Sequence, residues 1–267
     1  MAAQTNVKIP VRATIDINET STISLAYKSK ISGVKKFIFA SSCSIYGSAG
    51  DTPRREDDLK KPLTEYAISK WNAEQSLSKI ADNNFSIIAL RFATACGWSP
   101  NFRADLVLND FVVTALVEKK IIVLSDGTPW RPLIHTKDIG KAVAWSCQAK
   151  ILGYEAYNVG SNNWTLTIKD LADCVANIMK VPSLISNKYS SDKRSYRVCF
   201  DKFEDRAKGW LPSENLKSTI GELQEKLIPF KHRLKDFRSG DLIRLNVLKK
   251  LVKEKKLTKE LKILKDL

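Results

Sequence analysis

Residues 34–47, Val34-Lys-Lys-Phe-Ile-Phe-Ala-Ser-Ser-Cys-Ser-Ile-Tyr-Gly47, decide the fold of this chain. The first six are apolar and β-prone apart from two lysines, a run of strand length, and the serines, tyrosine and glycine that follow read as its C-terminal turn. Gly33 stands just before the run and stops a helix predicted over residues 21–32. Working outward, the pattern predicts a helix over 66–80 and a second buried strand over 85–92 (FSIIALRF). Short strands follow at 121–124 and 132–135. Asp138 is placed as the cap of a helix running to 149, and another strand is placed at 156–160. Thr167-x-x-Asp170 reads as a capping box opening a helix over 168–180, with Leu171, Val175 and Ile178 on one stripe. Strands alternating with helices predict an α/β chain with a doubly wound parallel sheet.

The 267 residues, 43% of them hydrophobic, suffice for one sizeable core or two unequal lobes. No apolar run reaches the roughly 18–20 residues of a membrane span, and residues 1–8 lack the apolar centre of a signal peptide. Five scattered cysteines without a Cys-x-x-Cys pair, and only two histidines, give no zinc or iron cluster. The reading is a reduced, cytoplasmic, metal-free protein. The net charge of +15 is unevenly placed: residues 231–267 hold 13 Lys/Arg against 5 Asp/Glu. That segment is read as a basic amphipathic helical tail that packs on its own domain with solvated lysines. No nucleic-acid partner is expected, and contact with an anionic membrane is the secondary reading.

Chemistry gathers in two places. Tyr66 and Lys70 lie four residues apart on a predicted helix, so phenol and ammonium share a face. A neighbouring cation favours the phenolate, as a general base needs, although such a pair also arises by chance. Ser41-Ser42 ends the decisive strand, where ligands gather in open α/β sheets; locally, a serine-rich turn explains it equally well.

Five segments occur in a fixed order: VKKFIFASSCSIYG, YAISKWNAEQ, LRFATACGWSP, DGTPWRPLIHTKDIGKAV and YNVGS. In this the chain resembles the extended short-chain dehydrogenase/reductases, specifically the NAD-dependent nucleotide-sugar epimerase/dehydratase family, over about residues 15–228. A bacterial subgroup found among surface-polysaccharide genes looks similar in its Ser-Ser-Cys-Ser, Arg-Phe-Ala-Thr and Asp-Lys-Arg-Ser-Tyr-Arg-Val runs. The resemblance implies a Rossmann-like sheet over 1–97, continued by about 132–162, and a smaller substrate lobe from 98–131 and 163–230. It implies Ser42 at the sugar 4-hydroxyl, Tyr66 as catalytic base, and Lys70 on the nicotinamide ribose, lowering the tyrosine pKa. Arg131 would grip the diphosphate, assisted by Arg194 and Arg197; its bland reading is a surface arginine beside Trp130. Trp98 is a candidate for the sugar pocket, with core packing as the safer reading, and Thr94 is assigned to the cofactor. His135 is read as structural. The implied cofactor is NAD (or NADP), the partner a nucleoside-diphosphate sugar, and the assembly a homodimer through the Tyr66 helix and the helix before it.

The implied reaction is Tyr-assisted hydride transfer at C4, as in an epimerase or 4-ketoreductase. A 4,6-dehydratase uses an acidic pair after the active-site serine, where this chain has Cys43 and Ser44. Two departures stand against the resemblance. Cys96 occupies the family's tyrosine position, and Gly33 is the first glycine, so no Gly-x-x-Gly-x-x-Gly segment precedes the serine strand. The expectation drawn is a truncated chain lacking about two βα units, whose NAD affinity is poor. A non-catalytic homologue that binds sugar nucleotide, or works through its basic tail, is the alternative.

Overall fold

The computed structural model describes residues 10–186 and 194–264. The N-terminal stretch 1–8, Asp192 and Lys193 of the Asp-Lys-Arg-Ser-Tyr-Arg-Val run, and the end of the tail at 265–267 lie outside the described residues. The described residues open with one helical run: α1 (Val11–Ile15) passes through a π-helical turn (Asp16–Thr20) into α2 (Ser21–Ile31). Gly33, at φ +81°, ends it in a conformation that costs a glycine nothing. Strand β1 (Lys36–Ser42) leads through a 3-10 turn (Cys43–Tyr46) to β2 (Ser48–Arg54). Thr64 caps α3 (Glu65–Ile80), its side chain accepting from the Ala67 amide. Then come β3 (Ser86–Phe92), β4 (Thr94–Cys96), α4 (Val107–Glu118), β5 (Ile121–Val123) and β6 (Trp130–His135).

After α5 (Thr136–Gln148) and β7 (Tyr154–Val159), β8 (Thr165–Thr167) precedes α6 (Ile168–Met179). Strands β9 (Ser183–Ile185) and β10 (Ser195–Val198) lead into α7 (Asp201–Arg206), α8 (Leu216–Leu227), α9 (Lys231–Leu234) and α10 (Arg244–Lys253).

The central sheet is β1–β3–β7, parallel throughout. Central strand β3 is buried from Ser86 to Arg91, which is why its sequence is a continuous apolar run instead of an alternating one. Ser42 lies opposite Phe92, and Phe92 opposite Val159, so the three strands finish level at one end of the sheet. Among the described residues β1 has a strand neighbour on one side only. Lysines close two helices beneath this layer: Lys30 reaches the Ile80 carbonyl at the end of α3, and Lys36 reaches the Ser146, Cys147 and Ala149 carbonyls at the end of α5.

A second core, around Leu108, Val112, Leu171, Val175, Ile220 and Leu223, joins α4, α6 and α8 into a separate lobe. Leu234 and Phe237 are buried in the same core. The tail therefore does not start at 231 as the charge pattern suggested. Two buried apolar side chains among the lysines outweigh the local charge and, with partly buried Leu242 packed on the same core, pin the chain to the lobe.

Asp138 also departs from expectation. The cap of α5 is His135, whose Nδ1 accepts from the Lys137 amide at 3.1 Å. Asp138, buried in the first turn, instead accepts from the Ser213 and Glu214 amides, both at 3.1 Å, tying the loop before α8 to α5. With Nδ1 accepting, Nε2 of His135 carries the proton and donates to Glu222 at 2.9 Å. Gly97 is obligatory beside this ring: at φ +93°, a Cβ there would stand 2.2 Å from His135 Nε2.

Burial pushes the Glu222 carboxyl up, but the hydrogen bonds from Lys137 and His135 and the Lys137 charge outweigh it and hold the group below its ordinary value. Its contribution is then full above the ordinary glutamate range and is lost only as pH falls through the depressed value. Glu222→Gln is expected to lose about 1–2 kcal/mol of stability at neutral pH, a gap that closes in acid. A gap constant from neutral to acid in thermal melts across pH would contradict this account.

Candidate active site

The level strand ends open into a cavity of about 800 Å³ between the sheet and the lobe. Ser42 and Thr94 line it from the sheet, Tyr66 and Lys70 from α3, and Arg131 and Arg194 from the strand and loop on the lobe side. These six sequence-predicted residues thus meet in one space although 152 positions separate the first from the last. Parallel β-strands deliver Ser42 and Thr94 to the same end, and the Thr64 cap sets Tyr66 in the first turn of α3, facing that end.

Ser42 Oγ accepts from the Ser44 amide at 3.2 Å and from Ser44 Oγ at 2.9 Å, so its hydroxyl is held in position. Burial pushes the Tyr66 phenol up from its ordinary value, while the Ser42 hydroxyl and the Arg103 charge work in the opposite direction. The expected lowering of Tyr66 by Lys70 is therefore not realised in this structure. The reason is where the ammonium points. Lys70 Nζ donates to the Ala40 carbonyl at 2.9 Å and lies over the Phe39 and Tyr66 rings, 4.7 and 5.9 Å from their centroids. Desolvation there pulls Lys70 down, with Glu74 acting against it.

Arg131 is 7% exposed, lies 5.7 Å over the Tyr196 ring and donates to the carbonyls of Trp130 and Arg194. Two other expectations are corrected. Arg197 stacks over Trp130 at 4.8 Å and reaches the Asp51 carbonyl, because alternation along β10 turns it away from the cavity that Tyr196 lines. Trp98 is sandwiched between Phe102 and Phe230, at 5.5 and 6.5 Å, and packs in the lobe instead of lining the cavity. Cys96 is buried and bonded to the Ile134 carbonyl, a core residue. Burial pushes the thiols of Cys96 and Cys43 far up, which removes both as proton carriers.

Sequence reading missed three features. Arg103 lines the cavity, clamped by Asp105 at 2.6 and 2.7 Å. Arg238 closes the rim on Asp110 and Thr114 of α4. Behind the strand ends, Arg91 and Glu74 form a bidentate pair at 2.7–3.2 Å with side-chain exposures of 3% and 1%. Glu74 also accepts from Ser41 and from Tyr154, and Arg91 donates to Tyr46 Oη and to the Glu56 carbonyl. Tyr46 in turn donates to Asn158 on β7 at 2.7 Å. An arginine inside an apolar strand and a glutamate one turn beyond Lys70 were the available signals for this network.

The sequence profile of the NAD dependent epimerase/dehydratase family matches residues 3–160, more than half of the chain. The chain belongs to this family. Among its curated relatives, the UDP-glucuronate 4-epimerase of Thermodesulfobacterium geofontis (strain OPF15) is 33% identical over 168 residues, 62% of this chain and 50% of that protein. The chain thus spans half the length of that relative. Among solved structures, the UDP-glucose 4-epimerase of Thermotoga maritima with UDP-glucose superimposes with a TM-score of 0.71 at 24% identity, covering 85% of this chain and 76% of that one. The UDP-glucuronic acid 4-epimerase of Bacillus cereus, in complex with UDP-glucuronic acid and NAD, gives 0.67 at 22%, covering 80% and 68%. These likenesses carry the Rossmann-like α/β fold expected of this family member.

Proposed function

We propose that the chain acts on a nucleoside-diphosphate sugar by proton and hydride transfer at C4, as a 4-epimerase or 4-ketoreductase. The observation that carries this reading is the convergence of Ser42, Tyr66, Lys70 and Arg131 on one cavity, together with nucleotide-sugar 4-epimerases among the relatives. NAD, when bound, supplies the hydride acceptor for the sugar carbon.

The residues fit one end of that cofactor. Lys70 and Tyr66 would hold the nicotinamide ribose, with Thr94 beside them. The pyrophosphate end is not assigned to residues of this sequence, whose eleven glycines include no Gly-x-x-Gly-x-x-Gly. The nearest spacing, Gly47 and Gly50, is spent on a turn in which a Gly47 Cβ would strike the Lys61 carbonyl. The chain's own chemistry is then as follows. Ser42 orients the sugar hydroxyl, and Tyr66 accepts its proton. Arg131 neutralises diphosphate charge through a guanidinium fork, a task that lysine performs less well. Cys43 and Ser44, in place of an acidic pair, disfavour 4,6-dehydration.

Exposed apolar residues Leu25, Tyr27 and Ile31 on α2 support a homodimer through α2 and α3, which light scattering would test.

Binding tests the substrate half of the proposal without turnover. Titration calorimetry with UDP is expected to show Arg131→Lys weakened roughly ten- to a hundredfold, the value of one or two charge-assisted hydrogen bonds. Incubation of the chain with NAD and UDP-glucose or UDP-glucuronate is expected to yield a C4-altered sugar. UDP affinity indifferent to Arg131, with no C4 product, would overturn the reading.

A further inference from the structure

The segment after α9 brings to the cavity an arginine that proton and hydride transfer at C4 leave without a task. Leu234 and Phe237 are buried in the lobe core, Leu242 packs on the same core, and the apolar residues of α10 are half-buried. Between these anchors Arg238 stands on the cavity rim, its guanidinium donating to the Asp110 carboxylate at 2.9 and 3.4 Å and to Thr114 Oγ1 at 3.0 Å. Asn246 Nδ2, in the first turn of α10, donates to the Arg238 and Gly240 carbonyls at 2.9 and 3.1 Å. The backbone that presents Arg238 is thus held by the core through Phe237 and by α10 through Asn246.

Helix α4 fixes where along the cavity this arginine stands. Val107, Asp110, Phe111, Thr114 and Glu118 all line the cavity, a spacing of threes and fours that presents one face over the length of the helix. At the usual rise per residue that face runs about 16 Å, with Asp110 and Thr114 about 5 and 10 Å from its start. The start is the reaction end, because Arg103, just before α4, is close enough for its charge to act on the Tyr66 phenol. The far end adjoins Ile122 and Leu124 of the cavity wall. A ligand with its sugar at Tyr66 and its diphosphate at Arg131 then carries its nucleoside along α4 to Arg238.

Charge separates the tasks of the two arginines. Asp110 and Glu118 share this stretch of the wall with Arg238, two acids to one cation, which disfavours phosphate there. Arg238 offers the N–H edge and flat face of a guanidinium whose charge Asp110 already offsets. Such a group suits the neutral acceptors of a nucleobase or ribose.

We propose that Arg238 binds the nucleoside part of the ligand and that Asn246 positions it, so that the segment from Phe237 to Asn246 is a wall of the binding site. This rests on the nucleotide-sugar reading above and adds to it the residues that meet the nucleoside.

Titration calorimetry of the full chain with UDP, alongside the Arg131→Lys variant, tests this. Arg238→Ala is expected to weaken UDP about tenfold, and Asn246→Ala, which alters no cavity-lining side chain, about three- to fivefold. The factor lost at Arg238 should be equal at low and high salt, as a contact to a neutral group requires. Arg238→Lys keeps a cation beside Asp110, and so the wild-type melting curve, but loses the fork; it should bind UDP nearly as weakly as the alanine variant.

UDP affinity unchanged in Arg238→Ala would overturn the proposal. So would full recovery in Arg238→Lys, which would show that an ion pair to Asp110 suffices. A loss that shrinks as salt rises would assign Arg238 to phosphate and overturn it as well, and unchanged affinity in Asn246→Ala would remove α10 from the site. Loss of UDP in Arg131→Lys but in neither Arg238 variant leaves the diphosphate reading standing alone, whereas a wild-type chain that binds no UDP refutes both.

Discussion

Glu74→Ala is expected to destabilise the protein by about 3–5 kcal/mol, the cost of leaving a buried charge without its partner. The Arg91 guanidinium, 3% exposed, would keep its contacts to Tyr46 and the Glu56 carbonyl but lose both carboxylate oxygens. Ser41 and Tyr154 would lose their acceptor as well. Because Ser41 adjoins Ser42 and Glu74 is one turn from Lys70, the damage reaches the cavity through two backbones. Replacing both partners, Glu74→Leu with Arg91→Met, is expected to recover a good part of the loss, since the pair's value lies mainly in not being broken. Denaturant unfolding of the two single variants and the double variant measures this. Single variants within about 1 kcal/mol of wild type would show that water reaches the pair and that it is not a sealed network.

Tyr66→Phe is expected to lower turnover of the nucleotide sugar by about 10²–10⁴-fold, the span of positioned general-base catalysis. UDP affinity should be unchanged, because the proposal assigns the diphosphate to Arg131 and not to Tyr66. Stability should shift by no more than about 1 kcal/mol, the value of one hydroxyl hydrogen bond. The phenol, half-buried at the cavity wall, is pushed up by desolvation and bonded to the Ser42 hydroxyl. On the proposed mechanism a cation must approach the phenol, and Lys70, which donates to the Ala40 carbonyl at 2.9 Å, would have to leave it to supply that charge. Rates measured across pH are expected to rise toward alkaline pH until Tyr66 ionises. A Tyr66→Phe chain that retains its rate would remove the proposed base, while calorimetry would still report whether the nucleotide site stands.

Much of this molecule was written in local pattern. Ile87–Leu90 is a run that only a buried parallel strand uses well, Phe37–Phe39 is a β-prone run that pairs beside it, and Thr64, Thr167 and Gly33 mark helix ends by capping chemistry that acts within four residues. The order of motifs then brought Ser42, Tyr66 and Lys70 to one place, because parallel strands must finish at the same end of a sheet. Those readings needed no distance information. Cys43 and Ser44 likewise exclude an acidic pair by identity alone.

Tertiary structure decided everything that depends on direction and on partners far away in sequence. Alternation along β10 sends Tyr196 to the cavity and Arg197 to Trp130, and a register shift in its pairing with β2 makes that choice unreadable from the chain. Trp98 became lobe core only because Phe230, 132 positions later, stacks on it. Asp138 carries the signature of a cap, yet a histidine three residues earlier takes the cap and frees the carboxylate for a loop 75 positions away. The tail shows the division most plainly: its amphipathic pattern is visible in the sequence, but the burial of Leu234 and Phe237 and the partial burial of the apolar residues of α10 are not. Charge and hydropathy state what a surface can bind, whereas only the folded chain determines whether that surface is already covered.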